Sequence, residues 1–147
     1  MTDISILPSV TVLMPVFNAA PYVAQALDSI LAQTHPPLEI IVVDDSSTDG
    51  TSAVVQSYVP KGVTHVVREN EKGIYSAHNL GVSRARGDLI AFLSGDDMWM
   101  PHKLEVQARA LLQHPDFLLS TTYFSYMFDK EHQPSARQIR DEQRKSM

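Results

Sequence analysis

Short apolar runs alternate with helical patterns along most of this chain. The runs have the length and β-branched character of strands, and they lie at residues 10–14, 38–43, 63–67, 89–93 and 117–128. Apolar residues at helical spacing follow four of the runs and predict helices at residues 22–31, 51–58, 74–86 and 101–113. Strands that alternate with helices form βαβ units, so we predict an α/β domain with a mostly parallel sheet and flanking helices.

The residues that follow the strands carry the candidate chemistry, because parallel sheets bind ligands at the carboxyl ends of their strands. Two aspartate pairs, Asp44–Asp45 and Asp96–Asp97, each end an apolar strand. If these strands are neighbours, four carboxylates face one edge of the sheet and repel one another unless a cation or hydrogen-bond donors offset them. A hard divalent ion such as Mg²⁺ or Mn²⁺ suits this oxygen-rich set, with Asp96 and Asp97 as the better ligands beside the open backbone of Gly95.

Simpler interpretations stay open for several of these residues. A lone aspartate after a strand usually caps a helix or forms a turn, and the polar residues 46–49 could cap the helix at Thr51 or bind a base or ribose. Gly73 could be a turn residue or a place of close backbone approach to a phosphate. Gly81 lies inside a predicted helix, where glycine costs about 1 kcal/mol relative to alanine, so we expect a packing or ligand reason for it.

Composition excludes several classes of protein. The 147 residues include no cysteine, which excludes disulfide scaffolds, cysteine zinc sites and thiolate nucleophiles. A net charge of −5 argues against a duplex nucleic-acid binder. No apolar run reaches the roughly 18–20 residues of a transmembrane segment, and the N-terminus lacks the pattern of a signal peptide. The motifs of P-loop, dinucleotide-binding and serine hydrolase proteins are absent from the sequence.

Five motifs in series resemble the family 2 glycosyltransferases of the GT-A fold. They are Pro15-Val16-Phe17-Asn18, the run VVDDSSTDGT at 42–51, GIYSAHNLG at 73–81, ARGD at 85–88, and Asp96-Asp97. The resemblance implies a Rossmann-like, mostly parallel sheet with flanking helices that lacks the acceptor half. It also implies a nucleotide-diphospho-sugar-binding domain at 1–128 and a polar C-terminal tail at 129–147. Truncation of this domain is left open at this point, because the family's catalytic domain usually runs further.

The resemblance also implies a role for each matched residue. It assigns nucleotide-sugar binding to Pro15, Phe17, Asp45, Gly73, Ala77 and Asp96, and a divalent metal, Mn²⁺ or Mg²⁺, to Asp97 and Asp96. Pro15 and Phe17 would line the base pocket, and Asp45 would accept a hydrogen bond from the base. Ser94 stands where the family often has aspartate, which leaves one fewer carboxylate for the ion. No carboxylate after Asp97 stands in a context that identifies a catalytic base.

The implied activity is metal-assisted, inverting transfer of a sugar from a nucleotide diphosphate sugar, with a UDP-sugar as the expected donor. This corresponds to a hexosyltransferase-like enzyme of class EC 2.4, acting on a saccharide or lipid-linked acceptor in polysaccharide biosynthesis. The expected location is the cytoplasm, including the inner face of the membrane. If the chain is a truncation, we also expect a homodimer or poor solubility, because the apolar residues of 117–128 would form an exposed patch.

Two other functions remain as alternatives at this point. The first is a catalytically incomplete nucleotide-sugar-binding module, either truncated or half of a split enzyme. The second is a receiver-type signalling domain with an acidic pocket. That domain would need a lysine near its last strands, whereas Lys103 follows Pro101 on a predicted helix.

Overall fold

The computed structural model describes residues 6–70 and 73–123, which form a four-stranded parallel sheet with helices on both faces. The strands are β1 (Val10–Val16), β2 (Glu39–Asp44), β3 (Val63–Val67) and β4 (Leu89–Phe92). Their order across the sheet is β3-β2-β1-β4, and every pairing between neighbours is parallel. The first strand of the chain therefore lies inside the sheet, between β2 and β4.

The helices cover the two faces unequally. They are α1 (Val23–Leu31), α2 (Thr51–Gln56), α3 (Ile74–Val82) and α4 (Lys103–Gln113), with a short 3-10 turn at Val59–Lys61. The larger core joins one face of β1 to α1, α2 and the start of α4, while α3 covers the other face. Among the residues that the structure describes, no helix is long and apolar enough to cross a membrane.

All seven residues of β1 are buried, as expected of a strand with neighbours on both sides and helices on both faces. Side chains alternate between the two faces: Val12 and Met14 pack in the larger core, whereas Leu13 packs with Ile41 and Ala77 beneath α3. This alternation fixes the register of β1, because a slip by one residue would exchange the two faces.

The sequence pattern predicted that the first strand ends before Pro15, and this prediction is wrong. β1 continues to Val16, and Pro15 lies opposite Val43 of β2. The pairing of β1 with β4 extends only from Val10 to Leu13, so Pro15 lies past the region where both edges of β1 need backbone donors.

The other differences lie at the ends of elements. Helix α3 ends at Val82 rather than at residue 86, and α4 begins at Lys103, two residues after the turn at Pro101. The strand expected at 117–128 is wrong for residues 117–123, which the structure shows without strand pairing. Residues 124–128 and the expected tail at 129–147 lie outside the described part of the chain.

The amino edge of the sheet is closed by two carboxylates. Glu39 accepts a hydrogen bond from the Thr11 hydroxyl at 2.7 Å and forms an ion pair with Arg86 at 2.8 Å. Asp88 accepts hydrogen bonds from the backbone N–H of Ser9 at 2.9 Å and from its hydroxyl at 2.6 Å. These contacts join β1, β2 and β4 at the edge opposite to the candidate site.

Candidate functional site

Both aspartate pairs lie at the carboxyl edge of the sheet, one on each side of the end of β1. The backbone N–H of Asp45 donates to the carbonyl oxygen of Val16 at 2.9 Å. From the other side, Gly95 lies so close that a Cβ added to it would be 2.8 Å from Val16 Cγ1 and 3.2 Å from Ala19 Cβ. The strands β2 and β4 are thus not neighbours, since β1 separates them, but the loops after both strands meet around Val16.

Asp44 points into the protein rather than towards the edge. It is fully buried, and its Oδ1 accepts a hydrogen bond from the backbone N–H of Ser47 at 2.9 Å. Its Oδ2 lies 3.8 Å from Nε2 of His65, whose side chain is also buried. The expectation that four carboxylates face one edge is therefore wrong for Asp44, because successive residues of a strand point to opposite sides.

Asp45 is the carboxylate that faces the site. It is 4% exposed, and its Oδ2 accepts a hydrogen bond from the backbone N–H of Gly73 at 2.8 Å. Its Oδ1 lies 3.2 Å from Nη1 of Arg68, and Nη2 of the same guanidinium donates to Ser76 at 3.0 Å. A buried carboxylate held in this way has a fixed direction, because the ion pair and the backbone donor restrain both of its oxygens.

A cavity of about 200 Å³ opens beside Asp45, and its walls come from three segments of the chain. Its lining residues are Pro15, Val16, Phe17, Asp45, Gly73, Ile74 and Ala77. Five of the six residues assigned to nucleotide-sugar binding by resemblance thus meet in one cavity. The cavity combines apolar walls with one charged acceptor, which suits a flat ring that carries an N–H donor.

Gly73 has the conformation that its place in this wall requires. Its φ of 84° and ψ of 161° lie in a region that other residues avoid, and a Cβ added to it would meet no atom within 4 Å. The N–H of Gly73 is used by Asp45, so the open Cα side is the part left for a ligand.

Asp96 and Asp97 lie in the loop after β4, and both are exposed. Asp96 is not among the residues that line the cavity. Partial burial, and secondly the charge of Asp96, raise the pKa of the Asp97 carboxyl above its ordinary value. Within residues 6–70 and 73–123, neither carboxylate forms an ion pair with a basic side chain. The pair therefore repels itself and would gain from a cation.

A metal ion would find only part of its ligands here. Across the described residues, no group of three or more His, Cys, Asp or Glu side chains is arranged to hold a metal ion. Two adjacent carboxylates nevertheless fit Mg²⁺ or Mn²⁺ chemically, since these ions take oxygen ligands and often complete their shell with phosphate and water.

Arg68, Ser76 and Ile74 also belong to this site, although none of the three was predicted from the sequence. Arg68 follows β3 directly, at the same carboxyl edge as the aspartates. The rule that parallel sheets bind ligands at the carboxyl ends of their strands also selects Arg68. Ile74 and Ser76 gave no signal of their own, because an apolar and a small polar residue at the start of a helix are unremarkable.

A family model shows which protein family this chain belongs to. The family model described as Glycosyl transferase family 2 matches residues 11–146. This chain belongs to glycosyl transferase family 2. Among its relatives is TuaG of Bacillus subtilis, provisionally named a teichuronic acid biosynthesis glycosyltransferase, which is 39% identical over 108 residues. That match covers 72% of this chain and 43% of TuaG. A Haemophilus influenzae glycosyltransferase of uncharacterized function is 34% identical over 124 residues, covering 83% of this chain and 48% of the relative.

Solved structures of glycosyltransferases share the fold. S. aureus TarS, in a complex with UDP, superposes with a TM-score of 0.67 at 28% identity, over 73% of this chain and 33% of the TarS chain. The mannosyltransferase PcManGT of Pyrobaculum calidifontis, in a complex with GDP-Man and Mn²⁺, gives a TM-score of 0.64 at 32% identity, over 74% and 33%. This family 2 member therefore has the GT-A, Rossmann-like fold, and it spans less than half the length of these relatives.

Proposed function

We propose that this chain binds the nucleotide part of a sugar donor, in the first place a UDP-sugar, for transfer of the sugar to a saccharide or lipid-linked acceptor. The observation that carries the proposal is the cavity beside Asp45, which lies at the carboxyl edge of a parallel sheet next to the loop of Asp96 and Asp97. Support comes from TarS and PcManGT, whose solved complexes contain UDP and GDP-Man.

The cavity suits a nucleobase better than a whole nucleotide sugar. Its volume of about 200 Å³ is below the range of roughly 300–1,000 Å³ for complete ligand pockets. Pro15 and Phe17 supply apolar surface for a ring, and Phe17 is 48% exposed, so a ligand ring could cover part of its surface. Asp45 would accept a hydrogen bond from a ring N–H, which uracil and guanine both carry. The ribose and diphosphate would then extend towards Asp96.

Asp96 and Asp97 would hold the divalent ion of the proposal, Mn²⁺ or Mg²⁺. Such an ion would supply positive charge against the diphosphate leaving group. The two aspartates must be ionised for this role. Because the pKa of Asp97 is raised, its carboxyl ionises at a higher pH than usual when no cation is bound. Transfer with inversion would also need a base that accepts the proton of the acceptor hydroxyl.

No described carboxylate after Asp97 has the surroundings of such a base. Glu105 accepts hydrogen bonds from Thr34 at 2.8 Å and from Arg109 at 3.3 Å, and Asp116 lies in an exposed turn after α4. We therefore assign no catalytic base among residues 6–70 and 73–123, and keep as a second candidate function a nucleotide-sugar-binding module that does not itself complete the transfer.

Calorimetric titration with UDP and GDP, with and without Mn²⁺, tests the binding step. We expect UDP to bind more tightly when Mn²⁺ is present, and Asp97→Ala to remove this metal dependence while weak binding of UDP remains. Asp45→Asn should weaken UDP binding about tenfold or more in the presence and absence of Mn²⁺, because it loses a charge-assisted acceptor. Asp116→Ala is the matched control, since it removes an exposed carboxylate outside the site.

The outcomes separate the parts of the proposal. Failure of the unaltered chain to bind either nucleotide would exclude the donor function. Metal dependence that persists in Asp97→Ala would exclude the assigned metal ligand but not the base cavity. Incubation with UDP-sugars, Mn²⁺ and candidate acceptors then decides between transferase and binding module, because the module predicts binding without a glycosylated product.

A homodimer is part of the same proposal. Leu118, Leu119 and Tyr123 are 98%, 76% and 106% exposed, and Phe117 and Leu118 border an apolar groove with Leu89 of the edge strand β4. Contiguous exposed apolar surface of this kind favours association. If sedimentation shows only a monomer at micromolar concentration, the dimer is excluded. That result would have no bearing on the proposed nucleotide site.

A further inference from the structure

Three consecutive backbone amides, just before α1, donate to three side chains between β2 and the start of α2, two in the loop and one on the first residue of α2. The N–H of Asn18 donates to the Ser47 hydroxyl at 3.0 Å. The next N–H, of Ala19, donates to the Thr51 hydroxyl at 2.8 Å, and the N–H of Ala20 donates to Asp49 Oδ2 at 3.0 Å. We call Ser47, Asp49 and Thr51 the loop clasp, because they bind one loop to another through its backbone.

The members of the clasp are also joined to one another. The Thr51 hydroxyl accepts from Ala19 and donates its own proton to Asp49 Oδ1, at 2.6 Å. Asp49 thus uses both oxygens, one towards Thr51 and one towards Ala20. Hydrogen bonds, that from Thr51 first, hold the pKa of Asp49 below its ordinary value. Thr51 is fully buried, so its hydroxyl cannot be replaced by water without a rearrangement.

Both loops contain a residue in a conformation that needs support. Asn18 has a φ of 49° and Ser46 a φ of 68°, in the left-handed region that few residues other than glycine adopt. Asn18 also accepts a hydrogen bond from the N–H of Thr48 at 2.8 Å through its side chain. The clasp therefore joins two turns that each contain a residue in the left-handed region.

The clasp lies directly beside the cavity. Phe17 lines the cavity and immediately precedes the first clasped amide, while Asp45 lines it from the loop that carries the clasp. Successive amides that point the same way form an anion-binding nest when they are free. Here side-chain oxygens occupy all three of them, so these amides are not available to bind a phosphate.

We propose that the loop clasp positions Phe17 against Asp45 for nucleotide binding, with Asp49 and Thr51 as positioning residues that do not contact the nucleotide. The inference rests on the proposed donor function. Without the clasp, the loop of Phe17 would leave the binding conformation for part of the time. The apparent affinity for the nucleotide would then fall in proportion to the population that remains competent.

Four variants test the clasp. Asp49→Ala removes an exposed clasp carboxylate, and Asp88→Ala is its matched control, because Asp88 also joins two segments through hydrogen bonds but at the opposite edge of the sheet. Thr51→Val removes the buried hydroxyl at nearly constant shape, and Thr51→Ser keeps the hydroxyl. Each variant is measured for thermal stability, for UDP affinity with Mn²⁺, and for amide hydrogen exchange at residues 18–20.

We expect Asp49→Ala and Thr51→Val to weaken UDP binding about tenfold and to speed exchange at Ala19 and Ala20. Asp88→Ala should lower thermal stability about as much as Asp49→Ala does, but it should change UDP affinity less than twofold. Thr51→Ser should bind UDP as the unaltered chain does, because it keeps the hydroxyl. Unprotected Ala19 and Ala20 amides in the unaltered chain would overturn the clasp itself. Unchanged UDP affinity in Asp49→Ala, where the unaltered chain binds UDP, would overturn its positioning role. An unaltered chain that binds neither UDP nor GDP would instead refute the donor function, while its exchange rates would still test the clasp.

Discussion

Replacing Gly81 with alanine would test how closely α3 lies against the sheet. Gly81 is in the last turn of α3, and it faces Leu13 of the central strand β1. An added Cβ would stand 2.0 Å from Leu13 Cδ1, 2.7 Å from Cδ2 and 2.9 Å from Cγ. Favourable contacts between carbon atoms lie at about 3.5–4.0 Å, so the helix or the leucine must move by roughly 1.5–2 Å.

The leucine has little room to move. Leu13 is fully buried and packs with Ile41, Val43 and Ala77. Overpacking in such a core costs about 1–3 kcal/mol, and the overlap with three atoms places Gly81→Ala at the upper end. Alanine regains about 1 kcal/mol through its better helix propensity. We therefore expect a net loss of about 2 kcal/mol in the free energy of unfolding, or a fall in Tm of about 4–8 °C.

Urea and thermal unfolding measure this loss, and two further variants interpret it. Asn79→Ala, at an exposed position of the same helix, reports the gain in helix propensity alone. Leu13→Ala removes the side chain that the new methyl group would strike. In the Leu13→Ala background, the Gly81→Ala change should become neutral or stabilising, because the methyl group then fills space, and the coupling between the two sites is the quantity measured.

The result also bears on the cavity, since Ile74 and Ala77 of α3 form part of its wall. A shift of α3 should weaken UDP binding along with stability. If Gly81→Ala is as stable as Asn79→Ala, and its effect does not depend on Leu13, then the close packing of α3 on β1 described above is wrong.

Three further changes have defined outcomes. Burial raises the pKa of Glu39, but hydrogen bonds and the charge of Arg86 outweigh the effect of burial and hold this pKa below its ordinary value of 4.5. The ionised Glu39 therefore stabilises the fold above pH 4.5, and this stabilisation is lost as the pH falls through the folded-state pKa. Glu39→Gln should therefore lower Tm at pH 7, and the difference from the unaltered chain should shrink below pH 4.5. Tyr58→Phe removes a hydrogen bond of 2.9 Å to Asp28 and should cost about 1 kcal/mol in urea unfolding. Lys103→Met removes a cation 4.2 Å from the centre of the Trp99 ring; it should change the fluorescence of this single tryptophan and lower stability by about 1 kcal/mol or less.

The order of strands and helices was predictable because it depends on local apolar patterns. β3 lies at Val63–Val67 as expected, between a left-handed Gly62 and a polar loop. The error at 117–123 has a physical cause: an apolar run becomes a strand only where a neighbouring strand accepts its hydrogen bonds. Leu118 is instead 98% exposed. The continuation of β1 through Pro15 likewise depended on where its neighbours end, which local sequence does not contain.

The site was predictable as a set of strand ends but not as an arrangement. The rule for parallel sheets selected the correct edge, and resemblance selected Asp45 and Phe17 for the cavity. That Asp44 turns inward to Ser47 depends on the pleat and on which face of β2 meets the core. The unexpected Gly81 signalled a packing contact without naming Leu13, because the partner lies on a strand far away in sequence.

The central place of β1 has a consequence for how the chain is made. Val10 pairs with Leu89, so one side of the first strand waits for a partner synthesised about eighty residues later. During translation, β1, β2 and β3 can assemble, but β1 keeps an open apolar edge until β4 leaves the ribosome. Such late, long-range pairing slows folding, and the unpaired apolar edge of β1 exposes the nascent chain to aggregation until β4 has been made.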